Sequence, residues 1–213
     1  MSLTTSQTHF TSHLTTTHPF TSPTAVKLPG IYTMIAYIVG AFVAVPAVIA
    51  AIAVTTRPDT FRCERSIVVD AAPEAIFPLV NVVRNGEKWG PWYGLDPKMK
   101  TEYSGPESGE GACYSWDGDK NVGSGRCTTL ETRGTELVRQ KLEFFRPFSG
   151  VNTVDFTFKP EGPGKTRVTW AMYGPNKFMG KVMSLFMDCD KMCGEMFIKG
   201  LEKIKALAEG KAA

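Results

Sequence analysis

Val151-Asn-Thr-Val-Asp-Phe-Thr-Phe-Lys-Pro160 sets Val154, Phe156 and Phe158 on one face of an extended chain, with Asp155 and Lys159 on the other. A period of two is the mark of a half-buried strand. The pattern repeats on both sides of this stretch. Upstream, Glu136–Phe145 places Val138, Gln140, Leu142 and Phe144 opposite Arg139, Lys141 and Glu143. Downstream, Thr166–Tyr173 aligns Val168, Trp170 and Met172 against Arg167, after the turn Glu161-Gly-Pro-Gly-Lys165. Successive alternating segments joined by short turns predict an antiparallel sheet with one wet face and one apolar face.

Working outward, Gly134 separates this meander from a strand at Gly125–Arg133. Two further strands, Lys98–Tyr103 and Ala112–Trp116, flank the turn-rich Gly105-Pro-Glu-Ser-Gly-Glu-Gly111. Phe61–Val69 reads as the first strand. Pro73 and Glu74 then mark a helix start, cut short by Pro78, and a second short helix is expected from Asn81 to about Lys88. An aromatic stretch follows, Trp89-Gly-Pro-Trp92-Tyr93. From about Asn176 to Ala208 the period changes to that of one long helix. Phe178, Met183, Phe186, Met187, Phe197, Leu201 and Ile204 stand on its apolar side. No other element is long enough to cover the apolar face of the sheet.

This order resembles the helix-grip fold of the START/birch-pollen-allergen-like superfamily, SRPBCC. The resemblance spans residues 60–208. It rests on Ser66-Ile-Val-Val-Asp-Ala-Ala-Pro-Glu-Ala-Ile-Phe77, on Trp89-Gly-Pro-Trp92, on Tyr103-Ser-Gly-Pro-Glu-Ser-Gly-Glu-Gly-Ala-Cys-Tyr-Ser-Trp116, and on Met187-Asp-Cys-Asp-Lys-Met192. Together these motifs are similar to a membrane-tethered bacterial group of polyketide cyclase/dehydratase-like proteins. The resemblance implies an α+β fold, a curved antiparallel sheet wrapped around a long C-terminal helix. It also implies an elongated apolar cavity between sheet and helix, but no fixed reaction.

Ile31–Val54 carries no charged side chain. At about 1.5 Å per residue, a helix of that length spans a hydrocarbon core roughly 30 Å thick. The domain organisation read from the chain is therefore a Thr/Ser-rich disordered tail (1–30), a transmembrane helix (31–54), a linker (55–60), the SRPBCC domain (61–208) and a short tail (209–213). Met34 is an alternative start that would remove most of the first tail. A cleaved signal peptide is the rival to an anchor, with Ala51-Ile52-Ala53 as its cleavage site. The apolar run is longer than an ordinary signal core, which favours the anchor. Arg57, Arg62 and Arg65 follow the run and only Lys27 precedes it. That asymmetry points to a single-pass protein with a cytoplasmic domain. Ala36, Gly40 and Ala44 form a small-residue stripe suited to weak helix pairing.

The charge balance of +3 excludes a strongly basic nucleic-acid groove. All three histidines, His9, His13 and His18, precede the apolar run. The domain thus lacks histidine for metal ligation, nucleophile activation or general base catalysis. The five cysteines have no zinc-finger or secreted-scaffold spacing and read as buried thiols; no metal or cofactor is expected. Asp117-Gly-Asp119-Lys-Asn121 begins like a calcium loop, but Val122 and Thr128 occupy positions that need Gly and Glu. Gly164-Lys165-Thr166 ends like a phosphate loop without its first glycine, since Lys159 stands there.

The expected cavity lining comprises Trp92, Tyr114, Trp116, Gln140, Leu142, Phe144, Val154, Phe156, Phe158, Trp170 and Met172. The helix adds Phe178, Met183, Phe186 and Met187. A hydrophobic small molecule or lipid held there, without chemistry, is the first functional reading. The alternative is a cyclase/dehydratase-like enzyme that orients its substrate in the same cavity, with Tyr114 as proton donor. A solid-core scaffold for a protein partner is a third.

Overall fold

The computed structural model describes residues 30–185 and 188–211, apart from the side chains of Met179, Met183 and Cys189. The expected N-terminal tail lies outside the described residues, save Gly30. The chain divides into two compact units, Met1–Ala47 and Val48–Ala213, with the boundary inside helix α1 (Ile31–Thr55). Among the described residues, α1 is the one helix long and apolar enough to cross a membrane. Pro46 lies within it without ending it.

The second unit carries β1 (Thr60–Val69), α2 (Pro73–Asn81), a single 3-10 turn (Val83–Asn85) and α3 (Gly86–Trp89). The meander follows: β2 (Lys100–Ser104), β3 (Cys113–Asp117), β4 (Ser124–Arg133), β5 (Leu137–Arg146), β6 (Gly150–Pro160) and β7 (Thr166–Pro175). Helices α4 (Phe178–Met183) and α5 (Cys189–Ala208) close the chain. The seven strands form one antiparallel sheet in the order β1-β7-β6-β5-β4-β3-β2.

The register fixes what gathers at each end of the sheet. Thr60 pairs with Pro175, Phe144 with Gly150, Ser124 with Arg146 and Lys100 with Asp117. The entry to β1, the β3–β4 and β5–β6 turns and the exit from β7 therefore share one end.

The apolar faces of β5, β6 and β7 turn inward. Phe156, Phe158, Val168 and Trp170 pack with Ile76 and Val80 of α2 and with Phe197, Leu201 and Ile204 of α5. On the outer face, Arg139 holds Asp155 with two bonds (2.8 and 3.0 Å) and Glu131 with a third (3.0 Å). Tyr173 donates to the same Asp155 carboxylate (3.1 Å). One polar network thus ties β4 through β7, where periodicity places the charged residues.

The single helix expected over Asn176–Ala208 is two helices. Asp188 accepts a hydrogen bond from the Lys191 N–H (3.0 Å) and starts α5 afresh as its N-cap. A carboxylate at that position satisfies one of the donors a helix start leaves open, so the chain begins a new helix there. The 20 residues of α5 still extend about 30 Å, enough to cross the sheet.

Candidate ligand-binding site

Between the inner sheet face, the α3 region and α5 lies a cavity of about 350 Å³. That is within the range of small-molecule sites. The structure brings ten of the expected residues to its wall: Trp92, Tyr114, Trp116, Gln140, Leu142, Phe144, Val154, Phe156, Trp170 and Met172. Two expected residues are elsewhere. Phe158 faces inward as its alternation demands, but lies farther along β6, 1% exposed and edge-on to Phe77 at 5.7 Å. Phe178 is 68% exposed, because the break before α5 leaves α4 a separate short helix at the sheet end. The Met183 side chain, Phe186 and Met187 lie outside the described residues.

Trp170 is the centre of one wall. Its ring stacks on Phe197 (4.2 Å, 8°), and the edges of Trp89 (5.4 Å) and Trp92 (5.7 Å) meet it. Stacked and edge-to-face pairs are the favoured aromatic geometries, worth ~0.5–1.5 kcal/mol beyond burial. Gly200 of α5 makes this possible, since a Cβ there would lie 2.7 Å from Trp170 Cζ3. Trp89 donates its indole N–H to the Leu79 carbonyl (2.7 Å). The Trp170 N–H is buried and has no acceptor.

A tyrosine cluster forms the opposite side. Tyr114 lies between Tyr93 (6.5 Å), Tyr103 (6.4 Å) and Trp116 (5.9 Å). Gly125 gives Trp116 room to lie across β4: a Cβ would come within 2.4 Å of the indole. Tyr103 donates to Glu87 (2.5 Å). The Tyr93 hydroxyl is buried, with the Tyr103 hydroxyl and Glu87 nearby. Burial raises the pKa of Tyr93 and, well above the ordinary range, that of Tyr114, whose ring is half-buried but whose hydroxyl sits beside the Cys127 thiol. Burial, with Cys113 nearby, pushes the Cys127 thiol up to about 12. Gln140 makes a long bond to Thr129 (3.5 Å), leaving most of its amide capacity unspent.

Among the described lining residues only Arg146 is charged, and it binds Ser124 (3.0 Å) and Asp117. The interior is therefore apolar with a few neutral polar groups. It can hold a hydrophobic body and hydrogen-bond to it; the described lining residues include no carboxylate or imidazole. The Asp119 carboxylate, in the sequence resembling a calcium loop, accepts the N–H groups of Asn121 (2.8 Å) and Val122 (3.1 Å) and so builds a turn. The lining also includes Tyr93, Cys127, Cys193 and Phe197, which sequence reasoning had not assigned to it. The spacing of Cys193, Phe197, Leu201 and Ile204 on one helical stripe was the available signal for the last two.

No protein-family model matches the sequence, and no curated protein matches it. Solved structures do match over nearly their whole length. Norcoclaurine synthase from Thalictrum flavum, in complex with dopamine and hydroxybenzaldehyde, superposes with a TM-score of 0.54 at 11% identity, covering 76% of this chain and 93% of that one. The Aha1 dimer from Colwellia psychrerythraea gives 0.51 at 17%, covering 71% and 99%. Protein CV1439 from Chromobacterium violaceum gives 0.50 at 16%, covering 72% and 99%. The fold is a helix grip. At these identities the likeness is one of architecture. In this helix grip α5 is the gripped helix, and the cavity lies between it and the sheet.

Proposed function

We propose that the protein is a membrane-anchored binding module for a neutral hydrophobic small molecule or lipid. One observation carries this reading: a 350 Å³ aromatic-lined cavity between sheet and α5, with the largely unpaired Gln140 amide on its wall. Polar groups inside a protein are ordinarily paired, so a ligand group could complete this amide. Helix α1 supports the anchor, and the basic residues after it support a cytoplasmic domain. The chain's likeness to norcoclaurine synthase, a helix grip that holds small aromatic molecules, agrees with a binding role. Catalysis through Tyr114 is less well supported. A proton donor works best with a pKa near the working pH, and burial moves this phenol the wrong way.

The test is native mass spectrometry of the full chain in detergent, with a panel of fatty acids, diacylglycerols and phospholipids. At least one lipid class is expected to bind, and Leu142→Trp, which narrows the cavity, is expected to reduce that binding. Equal occupancy in the variant, or no binding across the panel, would overturn the reading.

A further inference from the structure

We infer that the end of the sheet bearing the cavity mouth docks on lipid headgroups, so that the cavity opens onto the bilayer rather than into bulk water. The inference rests on α1 being an anchor, and adds which surface of the domain meets the membrane.

The first support is connectivity. The chain leaves α1 at Thr55 and enters β1 at Thr60. Five residue steps reach about 17 Å when fully extended. The sheet end at Thr60 is the one that gathers the β3–β4 and β5–β6 turns. Those turns carry Asn121, Val122 and Pro147, which line the cavity together with Arg146 at the end of β5. The tether and the mouth therefore share an end. The linker is also fastened there: Asn176 donates its backbone N–H to the Asp59 carbonyl (2.7 Å) and its side-chain amide to the Pro58 carbonyl (3.0 Å).

The second support is the distribution of exposed apolar side chains. At this end Leu95, Phe145, Phe148 and Phe178 are each more than half exposed, and Val151 and Trp92 stand beside them. Among the described residues, the other large apolar side chains exposed outside α1 are Leu130 on β4 and Met192 on α5. Such clustering marks an interaction surface, whereas singly scattered residues need no explanation.

The third support is charge. The acidic groups at this end are engaged within the fold. Asp59 pairs with Lys181, Asp117 with Arg146, and Asp96 accepts the N–H groups of Lys98 and Asp119. Arg57, Lys98, Lys120 and Lys177 remain around the rim to meet phosphate. An apolar rim within a basic ring matches the interface of a bilayer.

The test places an added tryptophan in the full chain, reconstituted in vesicles of phosphatidylcholine and phosphatidylglycerol, with or without dibrominated acyl chains. Phe148→Trp and Leu95→Trp probe the rim on separate segments. Lys159→Trp probes the opposite end, about 30 Å away along β6 at ~3.3 Å per residue. Relative to the parent chain, both rim tryptophans are expected to lose half or more of their added emission in brominated vesicles, and the Lys159→Trp signal is expected to be unchanged. Vesicle flotation is scored on the same samples. Unquenched rim tryptophans in protein that floats would overturn the docking while leaving the anchor intact. Equal quenching at both ends would also overturn it. A chain that fails to float would remove the anchor and this inference together.

Discussion

Gly200→Ala is a substitution for which helix propensity and packing predict opposite signs. Alanine is favoured over glycine inside a helix by about 1 kcal/mol. Gly200 is buried within α5, however, and its missing Cβ would lie 2.7 Å from Trp170 Cζ3 and 3.3 Å from Pro91 Cδ. The indole has little freedom to retreat. Phe197 lies flat against it at 4.2 Å, Phe156 sits at 4.8 Å, and Trp89 and Trp92 hold its edges. Overpacking in such a setting costs about 1–3 kcal/mol. The net is a destabilisation of roughly 0–2 kcal/mol, centred near 1, or about a fivefold fall in the folded-to-unfolded ratio. A urea titration of the full chain in detergent, followed by tryptophan emission, would show it. With a slope of about 2 kcal/mol per molar, the midpoint should fall by about 0.5 M. Gly194→Ala is the internal comparison. There the Cβ meets the end of a long side chain, Arg65 Nη2 at 2.1 Å, which can swing off its partner Asp190. Solvent screens that partly exposed ion pair, so losing it costs little, the helix gain offsets it and the variant should be near neutral. A midpoint that rises for Gly200→Ala would refute the view that Trp170 is held immovably against α5.

Tyr93→Phe removes a buried hydroxyl with no partner at good hydrogen-bond geometry, so stability should stay level or rise by up to about 1 kcal/mol; a loss above about 2 kcal/mol in urea would contradict this. Glu209, enclosed by Lys205, Lys211 and the Asp70 N–H, has its carboxyl lowered from 4.5 to about 2, chiefly by the hydrogen bond from Lys205. A depressed carboxylate contributes stability above its unfolded pKa, and that contribution drains away as pH falls from about 4.5 towards 2. Glu209→Gln should flatten that part of the stability–pH curve, and an unchanged acid limb would count against the assignment. Burial pushes the Cys63 and Cys127 thiols up to about 12, so iodoacetamide at pH 8 should modify them only after denaturation, and rapid native labelling mapped to either residue would be the contrary result.

Which side of the sheet each strand residue faces was legible in the sequence, because a period of two survives translation into geometry without further information. Arg139, Asp155 and Glu131 fell on the wet face, and Gln140, Phe156 and Trp170 on the dry one, as alternation requires. Depth along a strand was not legible. Phe156 and Phe158 share a face, yet only the first reaches the cavity, because α2 brings Phe77 over the second. The break before α5 was hidden for a different reason. Phe178 to Ile204 keeps a helical period in the sequence, whereas α4 stops at Met183 and the Asp188 cap, invisible to a hydrophobic pattern, starts α5. The glycines of α5 were ambiguous on the page, since a helical glycine can mark a bend or a contact. Arg65 over Gly194 and Trp170 over Gly200 are contacts with distant strands, which local sequence does not encode.

The proposed selectivity follows from the Gln140 amide. A pure hydrocarbon entering the cavity gains burial at about 25 cal/mol per Å² but leaves that amide short of partners. A ligand of the same size with one neutral acceptor, a carbonyl or a hydroxyl, gains the same burial and completes at least one bond. A site built with unpaired polar groups discriminates against analogues that cannot pair them. A net gain of about 1 kcal/mol per completed bond is roughly fivefold in affinity. A charged group gains less at that depth. Among the described lining residues the one charge is Arg146, which lies at the mouth with Asp117 already beside it, and an ion farther in would be desolvated with no countercharge from them. The chemistry favoured by the cavity is thus an apolar body with a neutral acceptor set deep, and any ionic headgroup left at the rim. That is also the orientation an amphiphile would have on entering from a bilayer lying against the same end of the sheet.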